Sequence, residues 1–75
     1  MIKKNIIPKY WLTKNKEKIS CEEKIKVMKE NIIEFDNLLT DIYDEAILIG
    51  VDKKQIKKVL VSLVNSIESN LKSEK

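Results

Sequence analysis

The sequence predicts an all-α fold: an antiparallel helical hairpin, with helices over about residues 21–49 and 53–72, preceded by an N-terminal arm and completed by oligomerisation. Three observations predict it. Apolar residues recur at Ile25, Met28, Ile32, Phe35, Leu39, Ile42, Ala46 and Ile49 with alternating spacings of three and four, the repeat of one helix face. The only glycine, Gly50, stands directly before the pattern of a second helix start. A second apolar face then follows at Ile56, Val59, Leu60, Leu63, Val64, Ile67 and Leu71.

Each element has its own local signals. The run Ser20-Cys21-Glu22-Glu23 reads as a capping box, Ser20 accepting from the Glu23 amide and the Glu23 side chain answering at the Ser20 amide, so the first helix should start there. Leu38 and Tyr43 flank its stripe and widen it beyond the narrow seam of a two-stranded coil. Ile33, Ile47 and Leu48 fall outside the stripe, either as scattered surface residues or as a second contact surface. Gly50 can take the left-handed conformation that ends helices at little cost. Asp52 then reads as the next N-cap, with Gln55 at N3 of a capping box and Val51 and Ile56 placed as a hydrophobic staple. The second helix should run to Leu71 and fray in the last residues, 73–75.

Residues 1–19 form a basic arm. Residues 1–20 hold six lysines and one glutamate, while Glu30 to Asp52 holds seven acids and no lysine. The arm also offers Ile2, Ile6, Ile7, Tyr10, Trp11 and Leu12, with Pro8 interrupting any helix. It either packs on a hairpin, its own or a partner's, or remains a basic tail.

Size limits what such a chain can be. A domain of 75 residues buries only about 60 to 65% of the surface its unfolded form exposes, and small chains are stabilised by disulfides, metals or association. A single cysteine and the absence of histidine leave association. One cysteine, no apolar run of signal-peptide length near the start and none of membrane-spanning length point to a soluble cytoplasmic protein.

Composition also weighs against catalysis. General acid and base work draws most often on histidine, and a nucleophilic thiol needs an activating base. Cys21 falls on the apolar side of the first helix, where a buried inert thiol is expected. Glu30 with Glu34, and Asp41 with Glu45, share helix faces, but bundle metal sites normally add histidine to such pairs. No catalytic residue, metal, cofactor or small-molecule substrate is expected.

Lys53, Lys54, Lys57 and Lys58 stand in the first turns of the second helix, where the helix dipole disfavours cations. They either pair with Asp44 and Glu45 across the turn, contact phosphate, or meet an acidic partner surface. Tyr10 and Trp11 among the arm lysines could likewise stack on nucleic acid or anchor the arm.

Ile25 to Leu60, and above all Asp41 to Leu60 ("DIYDEAILIGVDKKQIKKVL"), resembles the GapR-type nucleoid-associated proteins of alphaproteobacteria. The pattern is matched at Asp41, Ile42, Tyr43, Glu45, Ala46, Gly50, Asp52, Lys54, Ile56, Lys57 and Lys58. The resemblance implies helical homo-oligomers that clamp DNA through basic side chains. The chain differs in having Ile32 and Ile33 where the family has paired basic residues, and Val61 to Val64 where more basic residues follow the second helix start. The same stretch is also similar to the helical hooks of SinI-type antirepressors, at Glu45-Ala46 before the turn and Ile56, Lys58 and Leu60 after it. Such hooks offer apolar faces to a repressor.

These features together imply a non-enzymatic protein-interaction module of bacterial type, a self-associating regulatory or assembly subunit. Trp11, Ile25, Met28, Ile33, Ile47 and Leu48 are its expected interface, with another copy or a partner protein as occupant and no membrane. The alternative is a DNA-binding protein that reads the phosphate backbone through Lys53, Lys54, Lys57, Lys58 and the arm.

Overall fold

The computed structural model describes residues 6–71. Two helices are present, α1 over Glu22–Leu48 and α2 over Lys53–Asn65, joined by a four-residue turn. The fold is therefore the all-α helical hairpin, with no strand among the described residues beyond one isolated bridge in the arm. Two compact units divide the chain, Met1–Ile42 and Tyr43–Lys75, the boundary falling inside α1.

In the first unit residues 11–19 of the arm close into a loop. Leu12 and Lys18 form an antiparallel bridge, and the Ile19 amide donates to the Trp11 carbonyl at 2.8 Å. Inside this loop the Thr13 amide donates to the Glu17 carbonyl at 2.7 Å, and the Lys16 amide to the Thr13 carbonyl at 2.9 Å. The Thr13 hydroxyl accepts from the Asn15 and Glu17 amides, both at 3.2 Å, in the manner of turn-forming hydroxyls. Closure places Lys16 at φ +70°, a left-handed conformation that costs a non-glycine residue about 1 kcal/mol. The Lys18 ammonium caps the Tyr10 ring at 4.4 Å from its centroid, a cation–π contact. Trp11 and Ile19 are half-buried. Ile2 lies outside the described residues.

The start of α1 differs from the expected capping box. The first intrahelical acceptor is the Cys21 carbonyl, which takes the Ile25 amide at 3.1 Å, so Cys21 rather than Ser20 is the N-cap. Ser20 makes no side-chain bond to Glu23. Cys21 is correspondingly exposed and not a buried thiol, because it precedes the helix and so lies on no helix face. Glu22 and Glu23 stand in the first turn, where carboxylates complement the helix dipole.

The second unit holds the end of α1, the turn and α2. Gly50 has φ +92°. Its amide donates to the Ile47 carbonyl at 3.1 Å, and the Val51 amide to the Ala46 carbonyl at 2.9 Å, the paired bonds of a Schellman motif. Ala46 is the one buried hydrophobic side chain among the described residues, and Val51 is half-buried, as expected of the two positions whose contact usually accompanies that motif. Asp52 then caps α2, its carboxylate accepting from the Gln55 amide at 3.0 Å. Only this half of the expected capping box forms, since the Gln55 side chain does not answer at the Asp52 amide.

α2 ends at Asn65 rather than near Leu71. Ser66 is the C-cap, and its hydroxyl donates to the Leu63 carbonyl at 2.9 Å, offering the backbone an alternative to continued helix. The run Asn65-Ser66 combines two residues that compete with helical hydrogen bonding. Ile67 and Leu71, expected on the helix face, lie beyond its end and are 73% and 72% exposed. The expected frayed residues 73–75 lie outside the described residues.

Candidate functional site

The apolar stripe of α1 is split by its surroundings. At 3.6 residues per turn, positions three apart lie about 60° from each other on the helix. Ile25, Ile32 and Leu39 are half-buried and Ala46 is buried, whereas Met28, Phe35, Ile42 and Ile49 are exposed. The stripe thus resolves into two rows of heptad spacing, one turned inward and one facing solvent.

Leu38 joins the outer row. It is 56% exposed, against 43% for Phe35 and 39% for Ile42, so three large apolar side chains share one solvent-facing sector within about two turns. Contiguous exposed apolar side chains of this kind differ from the singly scattered ones common on protein surfaces. At its N-terminal end, Ile19, Val27 and Met28 with the stems of Glu23 and Lys24 line an open depression of about 400 Å³.

The residues expected at an interface are distributed between these environments. Trp11 is half-buried in the arm loop, and Ile25, Ile33 and Ile47 are half-buried on α1. Met28 belongs to the outer row, and Leu48 is the most exposed of the large apolar residues, at 85%. Val27, 49% exposed, was not legible as a surface residue. It lies outside the three-four stripe, and its one signal is an eleven-residue spacing to Leu38, three helical turns.

On α2 the apolar face is largely open. Ile56 and Leu60 are half-buried, while Val59, Leu63 and Val64 are 48%, 59% and 46% exposed. An open groove of about 510 Å³ on α2 is lined by Gln55, Lys58, Val59, Ser62, Leu63 and Ser66.

The lysine cluster does not answer the acids across the turn. Lys53, Lys54, Lys57 and Lys58 are all exposed, and none forms an ion pair with Asp44 or Glu45. Lys57 instead lies over the Tyr43 ring, 5.6 Å from its centroid, within the range of a cation–π contact. Three cations at a helix N-terminus are thus left to solvent, against the helix dipole.

Among the described residues no group of three histidine, cysteine, aspartate or glutamate side chains gathers as metal ligands would. No helix among them is long and apolar enough to cross a membrane. No family model, no curated protein and no solved structure matches the chain.

Proposed function

We propose that this chain is a non-enzymatic protein-interaction module, a small regulatory or assembly subunit that acts by presenting apolar helix faces. One observation carries the reading: the described residues bury a single hydrophobic side chain, Ala46, while sixteen large hydrophobic side chains are exposed. A chain of this size gains little from its own core, and covering Phe35, Leu38, Ile42 and Leu48 would stabilise it by about 1.5 to 3 kcal/mol for each side chain fully buried.

The test is assembly mass with helicity as control. Phe35→Asp and Leu48→Asp should each shift the native mass toward the single chain, or abolish partner capture, while far-UV circular dichroism stays unchanged. Unaltered assembly in both variants would remove the basis for the reading.

A second reading, phosphate-backbone binding to DNA, is supported by the exposed and unpaired Lys53, Lys54 and Lys58. It predicts duplex binding whose salt slope falls by about 0.9 for each lysine neutralised. Absence of duplex binding at low salt would end it.

A further inference from the structure

The outer row of α1 has charged ends of opposite sign. Starting from Lys24, steps of four and three lead through Met28, Asn31, Phe35, Leu38 and Ile42 to Glu45, which is the seam spacing of a helix pair. Lys24 and Glu45 stand three heptads apart on this seam. Both are exposed, and neither makes an ion pair with another described residue. Between them the apolar members are concentrated around Phe35 and Leu38.

We propose that α1 pairs antiparallel with α1 of a second copy of this chain, Phe35 meeting its counterpart at the two-fold axis, Leu38 facing Asn31, Met28 facing Ile42, and Lys24 of each copy facing Glu45 of the other. This deepens the interaction reading and rests on it, by naming the occupant of the outer row. Charge decides the direction. In a parallel pair Lys24 would face Lys24 and Glu45 would face Glu45, and the stretch 30–48, with six acids and no lysine, would lie beside itself. Reversing one copy sets its C-terminal part, residues 40–48 with Asp41, Asp44 and Glu45, beside residues 21–29, where Lys24, Lys26 and Lys29 outnumber Glu22 and Glu23, and charges flanking an apolar seam select orientation in this way. A two-fold axis makes the contact self-complementary and closed.

The experiment is a charge swap on the full chain, read by sedimentation equilibrium and native mass spectrometry at low ionic strength, where exposed pairs are least screened. Lys24→Glu and Glu45→Lys should each weaken the dimer by about fivefold, two exposed pairs being lost per dimer, and the double variant K24E/E45K should restore it. A wild-type dimer indifferent to the single variants overturns the antiparallel pairing while the interaction reading stands. A wild-type chain that stays monomeric but is held in a complex by a different protein overturns the second copy as occupant, again sparing that reading. A monomer with no partner, and a mass unchanged by Phe35→Asp, overturns both.

Discussion

The Val51 amide donates to the Ala46 carbonyl at 2.9 Å, so a residue of the turn is tied to the one hydrophobic residue buried among the described residues. Between them Gly50 is the residue in the left-handed region. A Cβ added at Gly50 would meet nothing within 4 Å, so the position asks for glycine on account of its backbone alone.

Gly50→Ala should therefore destabilise the chain by about 1 kcal/mol, the cost of placing an L-residue in the left-handed region. Gly50→Asn should cost less, because asparagine tolerates that region. Urea unfolding followed by circular dichroism would order the three chains as glycine, asparagine, alanine.

Asp52→Ala should cost about 1 kcal/mol, the usual loss on removing an N-cap acceptor, and Asp52→Asn only a few tenths. Gln55→Ala should be nearly silent by the same measurement, because its side chain returns no bond to Asp52.

Ala46 tolerates little added volume. Ala46→Leu should destabilise by about 1 to 3 kcal/mol through overpacking beside the turn. A change at Leu48, two residues on and 85% exposed, should leave the far-UV helical signal unchanged and act through assembly.

The arm loop hangs on Thr13. Thr13→Val keeps the shape but deletes the hydroxyl that accepts two amides, each bond contributing about 0.5 to 1.5 kcal/mol. Trp11 is the only tryptophan, so its fluorescence should become more accessible to acrylamide in this variant. Lys16→Gly should have the opposite effect, since it relieves the positive φ.

Asn65→Ala with Ser66→Ala should lengthen α2 toward Leu71 and raise the helical signal by the equivalent of several residues, because alanine restores helix propensity where the two polar side chains compete for backbone groups. An unchanged signal would mean that something other than Asn65 and Ser66 stops the helix.

The sequence by itself determined the punctuation of this chain. A lone glycine and an aspartate two residues later act through bonds to their own neighbourhood, so the end of α1 could be read to within one residue and the start of α2 at its position. Other boundaries were less legible for the same kind of reason. Ser20 fitted the capping pattern although Cys21 takes the cap, the Asn65-Ser66 stop was masked by apolar spacing that continued to Leu71, and the arm loop closes on a threonine without a turn glycine to announce it. What only the tertiary structure decided is which half of the α1 stripe faces inward. The rows led by Ile25 and by Met28 are equally apolar and about 60° apart on the helix, and nothing along the chain ranks them. Their difference in burial comes from what packs against each row, and that is a property of the folded surface rather than of local spacing. The same division sets the candidate site, because Phe35, Leu38 and Ile42 are available to a partner only where the fold leaves them uncovered.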